Sequence, residues 1–360
     1  MTGRGECSSA IQGYRATVLS SVAEVQSLLP LVHRLLPNND VLLHPEFALA
    51  GVSEGWTPRV AAVWKGSELA GLIIAKEKNL PGPRLGVVYV DLTFGSTLLG
   101  DPVDRRDTFL AALNTLLASP GTRGLRLRVT PNSPELDAVR KLLASKRLDA
   151  HFSRIKDHAR LALPGTYEQL LLSFGSTTRH NFRYYRRRFE AAGHVFLSNV
   201  SLDELRRAAV HLGPKGCRPT GLDSIDRLIR MTATADRPLA VGLKHRNGDW
   251  LSVICGVYRP SAGVLLLQLN NDLDFPRDSL SVVLRSYLIE SLIDQGMKEF
   301  IIWAGTAPPL SRYVTYLPTV GVYLDSRAYE WRLVRRLVSM VGPLLPRRLK
   351  PDARWVAPFH

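Results

Sequence analysis

The fold is decided by a stretch in the middle of the chain, where residues 163–193 read LPGTYEQLLLSFGSTTRHNFRYYRRRFEAAG. The pattern predicts a short helix that begins near Thr166, a break near Gly175, and a longer helix from about Thr177 to Ala192. Gly193 then supplies the left-handed residue that commonly ends a helix. We therefore expect residues 164–193 to be a helical linker between two halves of the chain.

Outward from this linker, each half shows the same order of predicted elements: strand, turn, strand, strand, helix, strand, helix, strand. In the first half the segments are Arg59–Lys65, Glu68–Lys76, Leu85–Phe94, Asp104–Ala118, Leu125–Thr130, Ser133–Lys146 and Ala159–Leu163. In the second half they are Leu239–His245, Trp250–Tyr258, Val264–Asn270, Ser279–Gln295, Phe300–Trp303, Leu310–Tyr316 and Gly321–Asp325. Apolar residues at helical spacing also predict one helix from Val22 to Leu36.

A pattern that recurs after about 180 residues is typical of a duplicated domain. We predict an α/β (α+β) fold with two lobes, at residues 14–163 and 194–326, each a mixed and mostly antiparallel sheet flanked by helices. Residues 1–13 are small and polar, and we expect them to be disordered. Residues 327–360 are expected to form a basic amphipathic helix and tail.

The composition is that of a globular protein with a strong positive charge. The 360 residues are 45% hydrophobic and 22% charged, and 47 Lys and Arg against 32 Asp and Glu give a net charge of +15. Such a field attracts phosphate-rich cofactors, nucleic acid or an anionic membrane surface. A solvated, Arg-rich surface without a partner is the alternative explanation.

The cysteines and the hydropathy indicate a reducing, cytoplasmic compartment. Cys7, Cys217 and Cys255 are far apart, so neither a disulfide framework nor a metal motif is indicated. Cys255 lies in an apolar run and is expected to be buried. The first residues lack the apolar core of a signal peptide, and no segment reaches the roughly 18 apolar residues that span a bilayer.

The linker carries a family resemblance. Leu163-Pro164, Tyr167 and Leu171, followed after a gap by Thr178-Arg179, Asn181, Arg183, the basic run, Glu190 and Gly193, resemble the linker of the CelD-like, cellulose-biosynthesis-associated branch of GNAT acetyltransferases. The resemblance continues through Asn271-Asp272, a loop with Pro276, the helix that follows, and Gly305-Thr306. It implies tandem GNAT lobes related to Fem-type aminoacyltransferases, a thioester or aminoacyl donor, and an amine acceptor in cell-envelope or polysaccharide biosynthesis.

The resemblance places the cofactor, acetyl-CoA or another acyl-CoA, at Leu269, Asn270, Arg277, Ser279, Leu280 and Ser281. A helix N-terminus near Ser279 offers unpaired N–H groups to phosphate, and Arg277 can add a charged donor. One departure weakens this expectation. The family's loop has glycines, whereas residues 275–281 have none and place Asp278 beside the expected anion. In the alternative interpretation Asp278 or Ser279 is only a helix N-cap.

Direct attack by an amine requires no enzyme nucleophile, so the candidate catalytic residues are an acid and a base. Asp272, after a predicted strand, is the candidate base; it is equally suited to capping a turn. Tyr313 and Tyr316 follow the strand that ends at Trp303, where GNAT enzymes often carry an acidic tyrosine. Packed aromatic side chains are the alternative for both tyrosines.

The linker helix presents arginines on one face, and we predict that Arg179, Asn181 and Arg183 bind a substrate phosphate or carboxylate. A solvated basic helix is the alternative. The histidines show no metal-binding spacing, and we expect no metal. The acceptor is expected to be a small molecule or a glycan amine.

Three functions remain open from the sequence. The first is an acyl-CoA-dependent N-acyltransferase that acts without a covalent enzyme intermediate. The second is a Fem-type enzyme that uses aminoacyl-tRNA, which the positive charge and the missing glycine favour. The third is a non-catalytic scaffold for polysaccharide synthesis. The predicted helix Tyr329–Leu345, with its basic face, would give peripheral contact with the membrane, or it would dock on the second lobe.

Overall fold

The computed structural model describes residues 13–32, 34–36, 40–52, 55–78, 86–91, 97–99, 103–120, 122–145, 148–216, 221–303, 306 and 309–325. The chain divides into two compact units. The first contains residues up to Asn39, residues 43–155 and residues from Pro318 onward, and the second contains Asp40–Leu42 and Lys156–Leu317. The predicted disordered N-terminus, apart from residue 13, and the predicted basic helix and tail at 327–360 lie outside the described residues.

The first unit is a sheet covered by helices. Its strands are β1 (Tyr14–Leu19), β2 (Trp56–Lys65), β3 (Glu68–Lys78), β4 (Gly86–Asp91), β5 (Thr97–Leu99) and β6 (Thr122–Val129), and β7 (Asp149–Ala162) leads into the second unit. Its helices are α1 (Val22–Gln26), α2 (Leu29–Val32), α3 (Pro45–Ala50), α4 (Arg105–Ala118) and α5 (Pro134–Ser145). The strands follow the order β1-β2-β3-β4-β6, and only β4 and β6 are parallel.

Each face of this sheet buries its own core. Phe109 and Leu113 of α4 pack with Leu125 and Leu127 of β6 on one face. Val25 and Val32 pack with Leu72 and Ile74 on the other. This alternation of inward residues along strands is what the period-2 pattern predicted.

The single helix predicted from Val22 to Leu36 is wrong, because the structure divides it into α1 and α2 with Ser27 at the C-cap of α1. Pro30 lies in the first turn of α2. Its missing N–H cannot donate to the carbonyl of Gln26, so a continuous helix would lose a hydrogen bond at this point.

The second unit holds the whole predicted linker at 164–193 and the second copy of the pattern as far as Leu317. Its helices are α6 (Tyr167–Ser173), α7 (Ser176–Ala191), α8 (Leu202–Leu212), α9 (Leu222–Ala233) and α10 (Leu280–Asp294). Its strands are β8 (Val195–Leu197), β9 (Pro238–Lys244), β10 (Trp250–Arg259), β11 (Ala262–Asn270), β12 (Glu299–Ile302) and β13 (Thr315–Asp325), and β13 returns the chain to the first unit, where it pairs with β6.

The sheet of the second unit runs β8-β9-β10-β11-β12-β7, and only β11 and β12 are parallel. Helices α6, α7 and α10 cover one face, where Phe182 and Phe189 of α7 are buried with Leu284 and Leu288 of α10. Helices α8 and α9 cover the other face. The predicted α/β fold class, a mixed sheet flanked by helices in each half, is confirmed.

Two further differences concern the ends of the second copy. The helix predicted at Leu310–Tyr316 is a single 3-10 turn at Leu310–Arg312, and β13 already begins at Thr315. Residues Thr315–Val322 are rich in β-branched side chains and contain Pro318, which disfavours a helix. The elements β1, α3, β5, β8, α8 and α9 were not predicted. Within the described residues, no helix combines the length and the apolar character needed to cross a membrane.

Candidate functional site

In the second unit the described pairing of the two parallel strands ends before β11 does, and the region beside the remaining part of β11 is called the gap between β11 and β12 below. Strands β11 and β12 pair from Ala262–Glu299 to Leu265–Ile302, and the Trp303 N–H adds a last hydrogen bond of 2.9 Å to the Leu265 carbonyl. Strand β11 then continues to Asn270 and pairs only with β10 in the described part of the chain. In the first unit, by contrast, β4 pairs with its parallel neighbour β6 over its whole length.

A β-bulge lies where the two strands separate. On the β10 side, Leu267 is opposite Cys255 but Leu265 is opposite Gly256, so Leu266 is an extra residue. A bulge leaves the extra residue unpaired in the ladder and turns its backbone groups away. Gly256 allows the bulge, because a Cβ at this position would lie 1.9 Å from the Val264 carbonyl oxygen.

Helix α10 begins beyond the end of β11. Ser279, at its N-cap position, adopts the left-handed conformation with φ 46° and ψ 46°, and its side chain caps no N–H group. This is the conformation for which glycine is normally required, so the serine is strained. The backbone N–H groups of Leu280 and Ser281 cannot bond within the helix, and they have no acceptor among the described residues.

The charge of Asp278 at this N-terminus is compensated. Arg188 of α7 forms a salt bridge of 2.8 Å with Asp278 and also donates to the Arg277 carbonyl at 3.5 Å. The Arg277 side chain is exposed. The sequence alone suggested that Asp278 would repel an anion at the helix N-terminus. The salt bridge with Arg188 compensates this negative charge.

The two strand residues predicted to bind the cofactor have different surroundings. Leu269 is buried in the core under α8 and α9, so only its backbone can contribute to a site. Asn270 is partly buried, and its Oδ1 accepts hydrogen bonds from Ser252 at 2.7 Å and from Gln268 at 3.3 Å.

A partly buried cation, which the sequence reasoning missed, lies across the gap. Arg285 of α10 donates through Nε to Gln268 Oε1 of β11 at 2.7 Å and through Nη1 to Thr306 Oγ1, beyond β12, at 2.8 Å. Burial lowers the pKa of Arg285 to about 10, so the side chain remains charged at neutral pH. The only signal in the sequence was an arginine flanked by apolar residues of a helix that is buried on most sides.

The tyrosines lie on the same face of the sheet as α7. The Tyr313 hydroxyl accepts a hydrogen bond of 2.9 Å from the Gly175 N–H at the start of α7 and approaches Thr178 Oγ1 at 3.4 Å. The hydrogen bonds of Thr178 and Gly175 lower the pKa of Tyr313. Tyr316 is partly buried against the core that includes α6 and α10.

The structure does not bring all predicted catalytic residues together. Asp272 follows the end of β11, and the four-residue step from Leu266 to Asn270 alone covers about 13 Å. Arg188, which contacts the start of α10, lies ten residues after Thr178 on α7, or about 15 Å along the helix axis. Tyr313 and the α10 N-terminus are thus at opposite ends of α7, and Asp272 lies at the α10 end.

The predicted Arg face of α7 is divided among several contacts. Arg183 pairs with Glu168, and Arg186 pairs with Glu290 at 2.6 Å and stacks on the Tyr287 ring at 4.1 Å. Arg179 and Asn181 are partly buried and have no polar partner in the described part of the chain. Substrate binding by Arg179, Asn181 and Arg183 stays a prediction.

A small cavity of about 150 Å³ lies between the end of α7 and the start of α10. Its walls include Phe189, His194, Phe275 and the Asp278–Arg188 pair. Burial, and then the nearby His245, lower the pKa of His194. No group of three or more His, Cys, Asp or Glu side chains suited to a metal ion occurs in the residues that the structure describes.

Cys255, on β10 beside the bulge, is buried as predicted. Burial raises the pKa of its thiol to about 12, so it has no thiolate character at neutral pH. It is not a candidate nucleophile.

Comparison with solved structures gives the class of fold. FemX has a TM-score of 0.62 at 12% identity, over 88% of this chain and 99% of FemX. L-PGS from Bacillus licheniformis has a TM-score of 0.52 at 12% identity, over 84% and 91%. The C-terminal domain of a putative lysylphosphatidylglycerol synthetase from Agrobacterium fabrum has a TM-score of 0.50 at 13% identity, over 85% and 95%.

At these identities the likeness establishes the fold alone, which this chain shares with FemX and with L-PGS. No protein-family model matches the sequence. No curated protein matches it either. Membership of the CelD-like branch stays a prediction.

Proposed function

We propose that the second unit is a transferase that moves an acyl group from a phosphate-bearing, activated donor of the acyl-CoA type to an amine. One observation carries the proposal: the described pairing of the parallel strands β11 and β12 ends beside the Leu266 bulge, and α10 begins beyond the end of β11 with an N-terminus that no side chain caps. Such a gap holds an extended donor between backbone groups, with its phosphates at the helix N-terminus.

The amine attacks the donor carbonyl directly. Its nitrogen forms a bond to the carbonyl carbon, and we assign stabilisation of the oxyanion that develops to a backbone N–H at the bulge, where the ladder of β10 and β11 is interrupted. The C–S bond then breaks, the leaving thiolate takes a proton, and the amine loses one proton to solvent. We assign the proton donor to Tyr313, because its lowered pKa makes the phenol a stronger acid.

The first test combines binding with turnover. Acetyl-CoA and longer acyl-CoAs should raise the melting temperature by mass action, and thiol release should require an added amine such as an amino sugar. Tyr313→Phe should lower kcat by about 100-fold or more with little change in KM. Tyr184→Phe is the matched control, since Tyr184 is exposed on α7. Normal kcat in Tyr313→Phe would remove Tyr313 from the mechanism.

A second donor class, aminoacyl-tRNA, is favoured by the structural likeness to FemX and to a lysylphosphatidylglycerol synthetase domain, together with the net charge of +15. In that reaction an ester C–O bond breaks and the ribose hydroxyl takes the proton. Filter retention of tRNA that falls steeply with salt would support this donor. If neither thioester nor aminoacyl-tRNA binds or is consumed, the transferase proposal is rejected in favour of a scaffold.

A further inference from the structure

Arg285 is a partly buried cation that the protein orients but that no carboxylate of the described residues neutralises. Its two hydrogen bonds go to the neutral side chains of Gln268 and Thr306. None of the described carboxylates forms a salt bridge with it. Other partly buried arginines of the same unit do have such partners: Arg186 pairs with Glu290, and Arg259 pairs with Asp40.

The guanidinium is held in a fixed orientation. Gln268 accepts from Arg285 Nε through Oε1, and its own Nε2 donates to Asn270 Oδ1 at 3.3 Å and to the Ser281 carbonyl at 3.4 Å. The Nη2 group has no acceptor among the described residues. A desolvated, unpaired charge costs stability, and an arginine fork that is already oriented is suited to bidentate recognition of a carboxylate or phosphate.

The position of Arg285 separates this site from the proposed phosphate site. Arg285 lies five residues after Leu280, so its Cα is about 7.5 Å further along the axis of α10. Gln268 lies two residues after the Leu266 bulge, about 7 Å along β11. The cation is therefore between the helix N-terminus and the carbonyl site, where the pantetheine arm of CoA carries no charge.

We propose that Arg285, oriented by Gln268 and Thr306, binds an anionic oxygen group, a carboxylate or a phosphate, of the molecule that enters the gap between β11 and β12. The inference rests on the proposed function only in taking this gap as the place where a substrate lies. It implies that the substrate bears a negative charge near the reacting carbonyl, which acetyl-CoA lacks.

The test uses the full chain and two simple anions. Melting temperatures are measured at constant ionic strength while sodium phosphate or sodium succinate replaces sodium chloride. We expect one anion to raise the melting temperature of the wild type saturably, by about 2–4 °C near tenfold excess over its dissociation constant. The effective anion tells whether the group is a phosphate or a carboxylate.

Two variants locate the effect. Arg285→Met should abolish the shift, and its melting temperature without added anion should equal or exceed that of the wild type, because an apolar side chain replaces a partly buried charge that no described carboxylate pairs with. Arg237→Met is the matched control: it removes the same charge beside Gln295, at the other end of α10, and should retain the shift. If the anion still raises the melting temperature of Arg285→Met, the anion binds elsewhere, such as at the amides of α10, and the proposal is overturned. The proposal is also overturned if no anion raises the melting temperature of the wild type saturably.

If Arg285→Met does not fold, Thr306→Val takes its place. It keeps the cation and removes one orienting hydroxyl, and it should weaken anion binding several-fold; unchanged affinity would count against the proposal. The result is independent of turnover. If the protein transfers an acyl group from acetyl-CoA but no anion raises its melting temperature, this inference is refuted and the proposed function stands. If an anion raises the melting temperature but no acyl transfer occurs, the inference stands and the proposed function is refuted.

Discussion

Replacing Ser279 by glycine should stabilise the protein, although glycine is normally the destabilising choice. A left-handed residue with a Cβ costs about 1–2 kcal/mol, and Ser279 has φ 46° and ψ 46°. Glycine relieves this strain but adds about 0.4–1 kcal/mol of conformational freedom to the unfolded chain. The net expectation is a gain of about 0.5–1 kcal/mol in the free energy of unfolding, measured by urea denaturation with an unchanged m-value.

Two matched variants show whether the backbone or the side chain matters. Ser281→Gly makes the same chemical change two residues later, inside α10, and should cost about 0.5–1 kcal/mol because its backbone is helical. Ser279→Ala should be nearly neutral, because the Ser279 side chain caps no N–H group. A loss of about 1 kcal/mol in Ser279→Ala would mean that Ser279 acts as an ordinary N-cap.

The outcome that refutes the reasoning is equal destabilisation by Ser279→Gly and Ser281→Gly. Ser279 would then have an ordinary backbone conformation, and the start of α10 would be a simple helix end. The functional corollary is that Ser279→Gly should keep or improve donor binding, since the amides of Leu280 and Ser281 still have no acceptor within the helix.

Three further changes test the surroundings of the site. Gly256→Ala places a Cβ against the Val264 carbonyl and should cost about 2–3 kcal/mol in urea denaturation; a smaller loss than 1 kcal/mol would show that the bulge can move. Arg186→Met leaves Glu290 without its partner and should lower the free energy of unfolding by about 1–2 kcal/mol, with less effect in high salt. The folded protein lowers the pKa of His194, so the unfolded chain takes up a proton at this residue at higher pH than the folded protein does, and the free energy of unfolding should fall as the pH drops below about 6.5. His194→Asn should reduce this pH dependence, and an unchanged pH profile of stability would contradict the argument.

The fold could be predicted because its signals are local. Thr166 and Gly193 define the ends of the linker helices as expected, with Thr166 Oγ1 accepting from the Gln169 N–H and Gly193 at φ 72°. Helix α8 carried a signal that was overlooked: Ser201 and Glu204 are spaced as in a capping box, and Ser201 Oγ does accept from the Glu204 N–H. Pro30 was a similar overlooked signal, because its missing N–H disfavours one continuous helix through α1 and α2.

The site could be predicted only in part, because its main features depend on register and tertiary contact. The bulge at Leu266 exists only in relation to β10, and Gly256 was its one visible trace. Arg285 is 17 residues from Gln268 and 21 from Thr306. No periodicity connects positions at such separations, and an arginine on a helix is ordinarily assigned to the solvent face.

Two destabilising features of the second unit indicate where selection has acted on function. Ser279 holds a strained backbone, and Arg285 holds an unpaired charge; both lie along one gap, and a single substitution would relieve either of them. Strain and buried charge persist where a ligand compensates for them, since destabilising features without benefit are readily lost. In the first unit, the equivalent strand β4 pairs with β6 from Gly86 to Asp91, over all of its described length. We therefore propose that the second unit carries the activity, and we expect substitutions along its gap to alter binding while equivalent substitutions between β4 and β6 alter stability alone.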